Sequence, residues 1–420
     1  ARRTTPPRRT ARHGDEATVG GIRIAIVDRD GCGRFLAAVI RGVRVGPSPA
    51  WLRDRIEAVG LRSISNVVDV TNYMMFELNQ PMHAYDAATL RGPALIVRPA
   101  REGGEDLVTL DGARRKVPSG AVVIADAERA IGFGGVIGGL DTEVTDATTD
   151  ILLECAWFNP VRVRACRTMI GLSTDASHRF ERGTDKWGAV DAFRRAIRML
   201  ITVAGGRLDG EAVDLFPAPS HPPRIFLRPA RVAQVLGVEL DWPEVVRCLV
   251  AIGATVVSKP DDGRIAVDVP GWRPDLVSEI DLVEEVARIH GYDRIPSDLG
   301  SFRPGGRGDD PEWAAAGRVR GGLSALGLAE VMTLEMRRSG EAAPHILNPL
   351  SADHGRLRDA LLSGLTEQVE ANWSAHVRDV RLFEVGRVFA DRGPAERPRE
   401  ELRAGFVISG ARHPAHWADG

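Results

Sequence analysis

RPDLVSEIDLVEEVARIHGYDRIP (residues 273–296) gathers Asp281, Glu284 and Glu285 at helical spacing, with Asp275 just upstream. Residues three and four apart share a helix face, and like charges there repel by a few tenths of a kcal/mol per pair. Ile280, Val283 and Ala287 form one apolar stripe, and Leu282, Val286 and Ile289 form another. The pattern predicts a largely buried helix over 278–290 with a narrow strip of carboxylates. Glu284 is placed to reach Arg288 at i+4, whereas Asp281 and Glu285 remain a repelling pair. The spacing leaves two ways to neutralise the strip. A hard divalent cation such as Mg²⁺ accepts a few carboxylates plus water. Arginines, from this chain or a partner, would do the same.

Upstream of this helix the chain reads as a small unit. RIFL (224–227) predicts a strand, PARVAQVLG and DWPEVVRCLVAIG predict two helices, and ATVVSKPDDGRIAVDVP predicts a hairpin turning at Asp262-Gly263. Two helices and a hairpin resemble a winged-helix arrangement. FPAPSHPP (216–223) and SFRPGGRGDDP (301–311) read as linkers on either side. Beyond them, 312–390 mixes helices and strands. Toward the N-terminus, 1–20 reads as a disordered arm. IRIAIVDRDGCGRFLAAVIRGVRVG (22–46) predicts strands around a glycine turn, and a helix opens near Pro49 and ends at Gly60. Residues 61–210 alternate strands and turns, closed by an amphipathic helix over 187–206.

Composition excludes several classes. The 420 residues carry a formal charge of −2, so no bulk basic field marks a nucleic-acid binder, and any RNA contact is local. Lysine occurs only at Lys116, Lys186 and Lys259, so arginine supplies 52 of the 55 cationic residues. Cys32, Cys155, Cys166 and Cys248 form no CxxC pair, which points away from a zinc site or disulfide framework and toward a reduced, cytoplasmic compartment. No apolar run approaches the ~18 residues of a membrane span. The arginine-rich start has no apolar core and is not a secretory signal. It begins without Met, and the sequence ends in mid-pattern, so the chain is read as a piece of a longer one.

Three stretches carry candidate chemistry. GFGGVIGG (132–139) lacks the GK[ST] of a phosphate loop. Its glycines suit either a tight turn or a close backbone approach to a ligand. NVVDVTNYMMFELNQPMHAYD (66–86) sets Asn66, Asp69, Thr71, Asn72, Gln80 and His83 in an apolar context, and a pocket would give several of them partners. Cys155 has no local base and reads as core. In GLSTDASHRFERGTD (171–185), Arg179, Glu181 and Arg182 read as an internal salt-bridge network.

NVVDVTNYMMFELNQPMHAYD, IGFGGVIGG, TDILLECAWFNP, GLSTDASHRFERGTD and RPDLVSEIDLVEEVARIHGYDRIP, in this order, closely resemble the β subunit of bacterial phenylalanine–tRNA ligase. ILNPLSADHGRLRDALLSGL and RLFEVGRVF resemble its later, catalytic-like region. The resemblance implies an α+β multidomain chain. Residues 1–46 would be a residual N-terminal region, 47–210 a mixed α/β editing module, and 211–298 a small winged-helix-like domain. Residues 312–420 would begin a class II synthetase-like antiparallel-sheet domain without catalytic residues of its own. It further implies an α subunit that carries ATP-dependent aminoacylation, an α2β2 tetramer, tRNA(Phe) as partner, and no membrane. The family's oligonucleotide-binding-like and anticodon-binding domains have no counterpart in the sequence.

By the same resemblance, Asp275, Asp281, Glu284 and Glu285 match carboxylates that hold Mg²⁺. Thr71, Asn72, His83, Gly135, Glu154 and Ala176 match an editing pocket that hydrolyses tyrosyl-tRNA(Phe). The physics of that assignment is coherent. An apolar pocket rejects an added hydroxyl only weakly, so a second site must select for it. A carboxylate at Glu154 accepts a hydrogen bond from the tyrosyl hydroxyl, and a phenylalanyl ring leaves it unpaired. Ala176 leaves room for the ring, Gly135 admits backbone to the substrate, and Thr71, Asn72 and His83 hold the adenosine, the ester and a water. Two other readings compete: a stand-alone aminoacyl-tRNA ester hydrolase, and a non-enzymatic winged-helix nucleic-acid-binding protein. Residues 312 onward argue against the first, and the absence of a basic recognition helix argues against the second.

Overall fold

The chain opens with four strands, β1 (Ala11–Arg12), β2 (Glu16–Val19), β3 (Ile22–Ile26) and β4 (Cys32–Val43). The computed structural model describes residues 11–12, 14–257, 263–297, 300–301, 305, 308–338, 343–393 and 396–411. The first ten residues of the expected arm, Asp262 of the expected hairpin turn and much of the 301–311 linker lie outside the described residues. Glu16–Val19, inside that arm, is instead a strand: Ala17 and Val19 alternate inward and are buried.

Two helices follow, α1 (Ala50–Ala58) and α2 (Asn66–Leu78), and then β5 (Met82–Asp86). Next come β6 (Ala94–Pro99), the hairpin β7 (Glu105–Val108) and β8 (Arg114–Val117), β9 (Val122–Ala125), β10 (Ala130–Phe133), β11 (Ile137–Gly138) and β12 (Asp150–Phe158). Helices α3 (Pro160–Ile170), α4 (Asp175–Phe180) and α5 (Ala189–Ala204) precede β13 (Gly205–Leu208) and β14 (Val213–Leu215).

These strands make two sheets. One has the order β1-β14-β4-β12-β5, with β13 also paired to β4, and the other runs β11-β10-β9-β6-β3-β2. Phe35, Ala37, Val39, Leu152, Ala156 and Phe158 of the first sheet share a core with Ile24, Leu95, Val97, Val123, Ile131 and Phe133 of the second. The alternate residues Leu36, Ala38, Ile40, Ile151, Leu153 and Cys155 meet Leu52, Ile56, Val67, Val70, Phe193 and Leu200 of the helices. Strands β4 and β12 are therefore buried on both faces, which explains their nearly unbroken apolar sequence. Because β4 pairs with β12 from Cys32 to Arg41, residues assigned from sequence to a residual N-terminal region form the centre of this layered structure.

Helix α2 was concealed by its polar content. Asn66 and Asp69 lie on its buried face beside Val67 and Val70. Asp69 accepts from Ser48 Oγ at 2.6 Å, Ser63 Oγ at 2.5 Å and Ile64 N at 2.9 Å. Asn66 Nδ2 donates to the Arg44 carbonyl at 2.9 Å, and Gln80 Nε2 to that of Ala156 at 2.9 Å. These three polar residues fasten loops and strands, and none of them lines the chambers described below.

The next elements are β15 (Arg224–Leu227), α6 (Pro229–Leu236), α7 (Trp242–Ala251), β16 (Thr255–Val256), β17 (Ile265–Asp268) and α8 (Glu279–His290). The strands form an antiparallel sheet of order β15-β17-β16. Leu282, Val283 and Val286 of α8 join its core and Ala287 is buried beside them, but Ile280 is 48% exposed, so of the predicted stripes Ile280 alone turns clearly to solvent.

All of this belongs to a first unit, residues 1–298; residues 299–420 form a second. The second contains α9 (Pro311–Ala325), β18 (Ala329–Glu330), β19 (Met336–Arg337), β20 (Arg356–Leu357), α10 (Leu362–Ser374), β21 (Val380–Ala390) and β22 (Arg399–Ser409). Strands β21 and β22 pair antiparallel along their length, and β18 adds in parallel to β21. Within this unit Arg358 donates to Glu384 at 2.6 Å, and both side chains are 2% exposed. Arg358 also reaches the carbonyls of Thr333 and Arg387, which satisfies a guanidinium that burial would otherwise penalise.

Candidate functional site

Successive strand residues point to opposite faces. In β12 this sends Ile151, Leu153 and Cys155 toward the helices and Leu152, Glu154 and Ala156 into the space between the sheets. Glu154 is thus a carboxylate inside a β sandwich. Cys155 is core, as its sequence context predicts, and burial pushes its thiol well above the ordinary range. Register places His83 of β5 directly across from Glu154, and Tyr85 across from Leu152 on the same face. Tyr85 Oη donates to Glu154 Oε2 at 2.5 Å. The His83 and Tyr85 rings meet edge to face, 4.5 Å between centroids.

Burial governs the charge states here. It raises Glu154 to about 7, and the Tyr85 hydrogen bond partly opposes the rise. It lowers His83 to about 4, so the imidazole is neutral at physiological pH. His83 Nε2 is shielded from solvent and has no hydrogen-bond partner. Such an atom stands ready for a ligand or a water.

Two adjoining chambers surround these groups. The smaller, about 80 Å³, is lined by Glu154, Tyr85, Phe133, Gly135, Phe158 and Phe180, among others. The larger, about 400 Å³, is lined by Thr71, Asn72, Leu110, Glu143, Thr174 and Asp175, among others. His83, Val136, Ile137, Gly138 and Ala176 border both. Ala176 is held in place by α4, whose N-cap Thr174 accepts from Ser177 N and donates to the Val136 carbonyl at 2.7 Å. Gly135 has φ +73°, and a Cβ there would press on Val163, Phe158 and Phe180. A Cβ on Gly138 would come within 2.6 Å of His83 Cε1.

All six residues expected at an editing pocket therefore line one or both chambers. Sequence reasoning missed Tyr85 and Gly138. Tyr85 follows His83 by two residues, so strand alternation put it on the same face; Gly138 carried no signal beyond the glycine density of 132–139. The expected network at 179–182 differs in its partners. Glu181 joins Arg167 and Arg182, whereas Arg179 pairs with Asp175 at 2.9 Å and lies over the Phe76 ring.

The four carboxylates of 275–285 sit elsewhere, and arginines and backbone N–H groups take up three of them. Glu285 is buried and accepts from Arg273 at 3.0 Å and from Arg288 at 2.6 Å, so Arg288 serves Glu285 and not Glu284. These guanidiniums, Arg273 first, hold the Glu285 carboxyl down at about 2. Asp275 is paired with Arg273. Asp281 caps its own helix, accepting from Val277 N, Ser278 N and Ser278 Oγ at 2.7–2.9 Å. Glu284 is exposed. Among the described residues no cluster of three His, Cys, Asp or Glu side chains could hold a metal ion. In this arrangement the residues do not fit Mg²⁺, because Arg273 already supplies the cation.

Among the described residues no helix is long and apolar enough to cross a membrane. Comparison with known proteins bears on the whole chain. Residues 31–205 match the model of the B3/4 domain, 225–292 that of the tRNA synthetase B5 domain, and 295–420 that of the phenylalanyl tRNA synthetase beta chain CLM domain. The chain is 41% identical to the phenylalanine–tRNA ligase beta subunit of Moorella thermoacetica, covering 97% of this chain and 52% of that one. The same subunit of Carboxydothermus hydrogenoformans is 38% identical over 93% and 50%, and that of Anaeromyxobacter dehalogenans 37% over 97% and 52%. An N-terminal fragment of the Pyrococcus horikoshii phenylalanyl-tRNA synthetase beta subunit is 13% identical with a TM-score of 0.35, covering 68% of this chain and 78% of that one. The chain spans about half the length of the curated relatives it matches. Three domain models in order, and relatives alike over nearly all of its residues, place this chain in the phenylalanine–tRNA ligase β-subunit family.

Proposed function

We propose that the chain acts with an α subunit in the ATP-dependent attachment of phenylalanine to tRNA(Phe), and that its twin chambers hydrolyse tyrosyl-tRNA(Phe). Glu154 carries this reading: a buried carboxylate in the wall of a chamber also lined by Phe133, Phe158 and Phe180. A tyrosyl ring entering that chamber presents its hydroxyl to an acceptor, and a phenylalanyl ring does not. The larger chamber, with Thr71 and Asn72 on α2, takes the ester and the terminal adenosine. His83, neutral and bordering both chambers, positions the water. No covalent intermediate is invoked, since Cys155 faces the helices.

On the same reading residues 47–210, together with β4, are the editing module, 211–298 the winged-helix-like domain, and 312–420 the start of the class II synthetase-like domain that meets the α subunit. An α2β2 tetramer and a cytoplasmic setting go with it. Mg²⁺ at Asp275, Asp281, Glu284 and Glu285 would require Arg273 to leave.

Hydrolysis of tyrosyl- and phenylalanyl-tRNA(Phe) by the chain with its α partner tests the proposal. Faster tyrosyl hydrolysis, reduced by Glu154→Ala at least tenfold, is the expected result, about the worth of one hydrogen bond to a charged group. Equal rates on both esters would refute it.

A further inference from the structure

We infer that Tyr85 is a specificity-determining positioning residue: its phenol holds one oxygen of Glu154 so that the other meets a para-hydroxyphenyl ligand as a fixed acceptor. The inference rests on the editing reading of the chambers and adds a residue and a device to it. Tyr85 is the only side-chain hydrogen-bond partner of Glu154 among the described residues. The contact is short, both groups are buried, and Tyr85 is itself clamped by the edge of the His83 ring. A flexible carboxylate in an apolar chamber has several rotamers and a strong drive to stay protonated. The phenol limits both. It fixes the side chain, and it favours the ionised form, whose hydrogen bonds are about twice as strong as those of a neutral acceptor.

The opposite arrangement makes Tyr85, a phenol already bonded to Glu154, a competitor that the ligand's phenol displaces. The geometry decides against it. Tyr85 bonds only Oε2, and it lies on β5 in the wall of the chamber, in register with Leu152. The ligand enters as a second donor beside it. Both donors then converge on one carboxylate, as in a small hydrogen-bond network whose members strengthen one another.

Few groups share control of this charge. Among the described residues, Tyr85 and His83 face Glu154 from β5, and the thiols of Cys32 on β4 and Cys155 on β12 feel its charge. The chamber walls from β9, β10 and α4 offer Ile124, Phe133, Ala176 and Phe180, none of them titratable.

Tyr85→Phe deletes one oxygen and keeps the ring. Two readouts on the full chain with its α partner test the inference. The first is the ratio of tyrosyl- to phenylalanyl-tRNA(Phe) hydrolysis. It should fall about tenfold or more in Tyr85→Phe, the loss falling mainly on the tyrosyl ester, and the tyrosyl rate should need higher pH than in the unsubstituted chain. The second is the carboxyl infrared band of Glu154, assigned by its loss in Glu154→Gln, whose protonation midpoint should move upward in Tyr85→Phe. A ratio that holds or rises, or an unmoved midpoint, overturns the inference while leaving the editing reading intact. Absence of tyrosyl hydrolysis in the unsubstituted chain overturns both.

Discussion

One methyl group tests how tightly the chambers are tuned. Gly138→Ala would place a Cβ 2.6 Å from His83 Cε1, at a position whose φ does not require glycine. The imidazole must shift, and displacement by about 1 Å costs on the order of a hundredfold in rate. The expected outcome is slow tyrosyl-tRNA hydrolysis with a melting temperature close to that of the unsubstituted chain. Glu154 makes a separate prediction about stability. Burial raises its carboxyl in the folded state to about 7, so between pH 4.5 and 7 the folded chain binds the extra proton. Stability from this group is therefore full below pH 4.5 and falls as pH rises toward 7, by about 3 kcal/mol at most. Glu154→Gln, which still accepts from Tyr85, should match the unsubstituted chain at pH 4.5 and melt higher at pH 8. The residues of this site were legible in the sequence to the extent that each is a polar side chain among apolar neighbours. The Tyr85–Glu154 hydrogen bond was not, because it depends on which strands pair and in what register.

At the scale of elements, α8 shows how an arrangement that looks repulsive in sequence is resolved in space. Helical spacing located the helix and its strip of acids. It could not show that Arg273, six residues before the helix begins, folds back to bridge Asp275 and Glu285. Nor could it show that Asp281 spends its charge on the N–H groups at its own helix start. Arg273→Ala leaves buried Glu285 with Arg288 alone, and should cost ~1–3 kcal/mol at pH 7 in a thermal or denaturant melt. Because Glu285 sits below its ordinary value in the folded state, that stability is present above pH 4.5 and lost as pH falls toward 2. The cost of the substitution should therefore shrink in acid. With the resident cation gone, millimolar Mg²⁺ should raise the melting temperature of Arg273→Ala more than that of the unsubstituted chain. Helix α2 was illegible for the converse reason. Its buried face carries Asn66 and Asp69, whose partners Arg44 and Ser48 lie about twenty residues upstream.

Across the whole molecule, proline and glycine clusters gave candidate boundaries at 216–223 and 301–311, and the chain divides into two units at residue 298, but the place of β4 could not be read. A strand that pairs with a segment more than a hundred residues later gives no local sign of it. The second unit has its own small core around Leu361, Leu365 and Val388, braced by the buried Arg358–Glu384 pair. Glu384→Ala leaves the buried Arg358 guanidinium with carbonyls and the more distant Glu335, and should cost ~3 kcal/mol there, while leaving hydrolysis in the first unit unchanged. The two-sided burial of β12 has a further consequence, for error. A slip of one residue in its pairing would exchange the outlooks of Glu154 and Cys155. A thiol would then face the chambers, and a carboxylate would be forced among the helices. The misassembled chain could not persist as a sound but careless copy, since the fault that blinds the chamber also unseats the fold. Quality of assembly and fidelity of discrimination are fastened to the same ladder of hydrogen bonds.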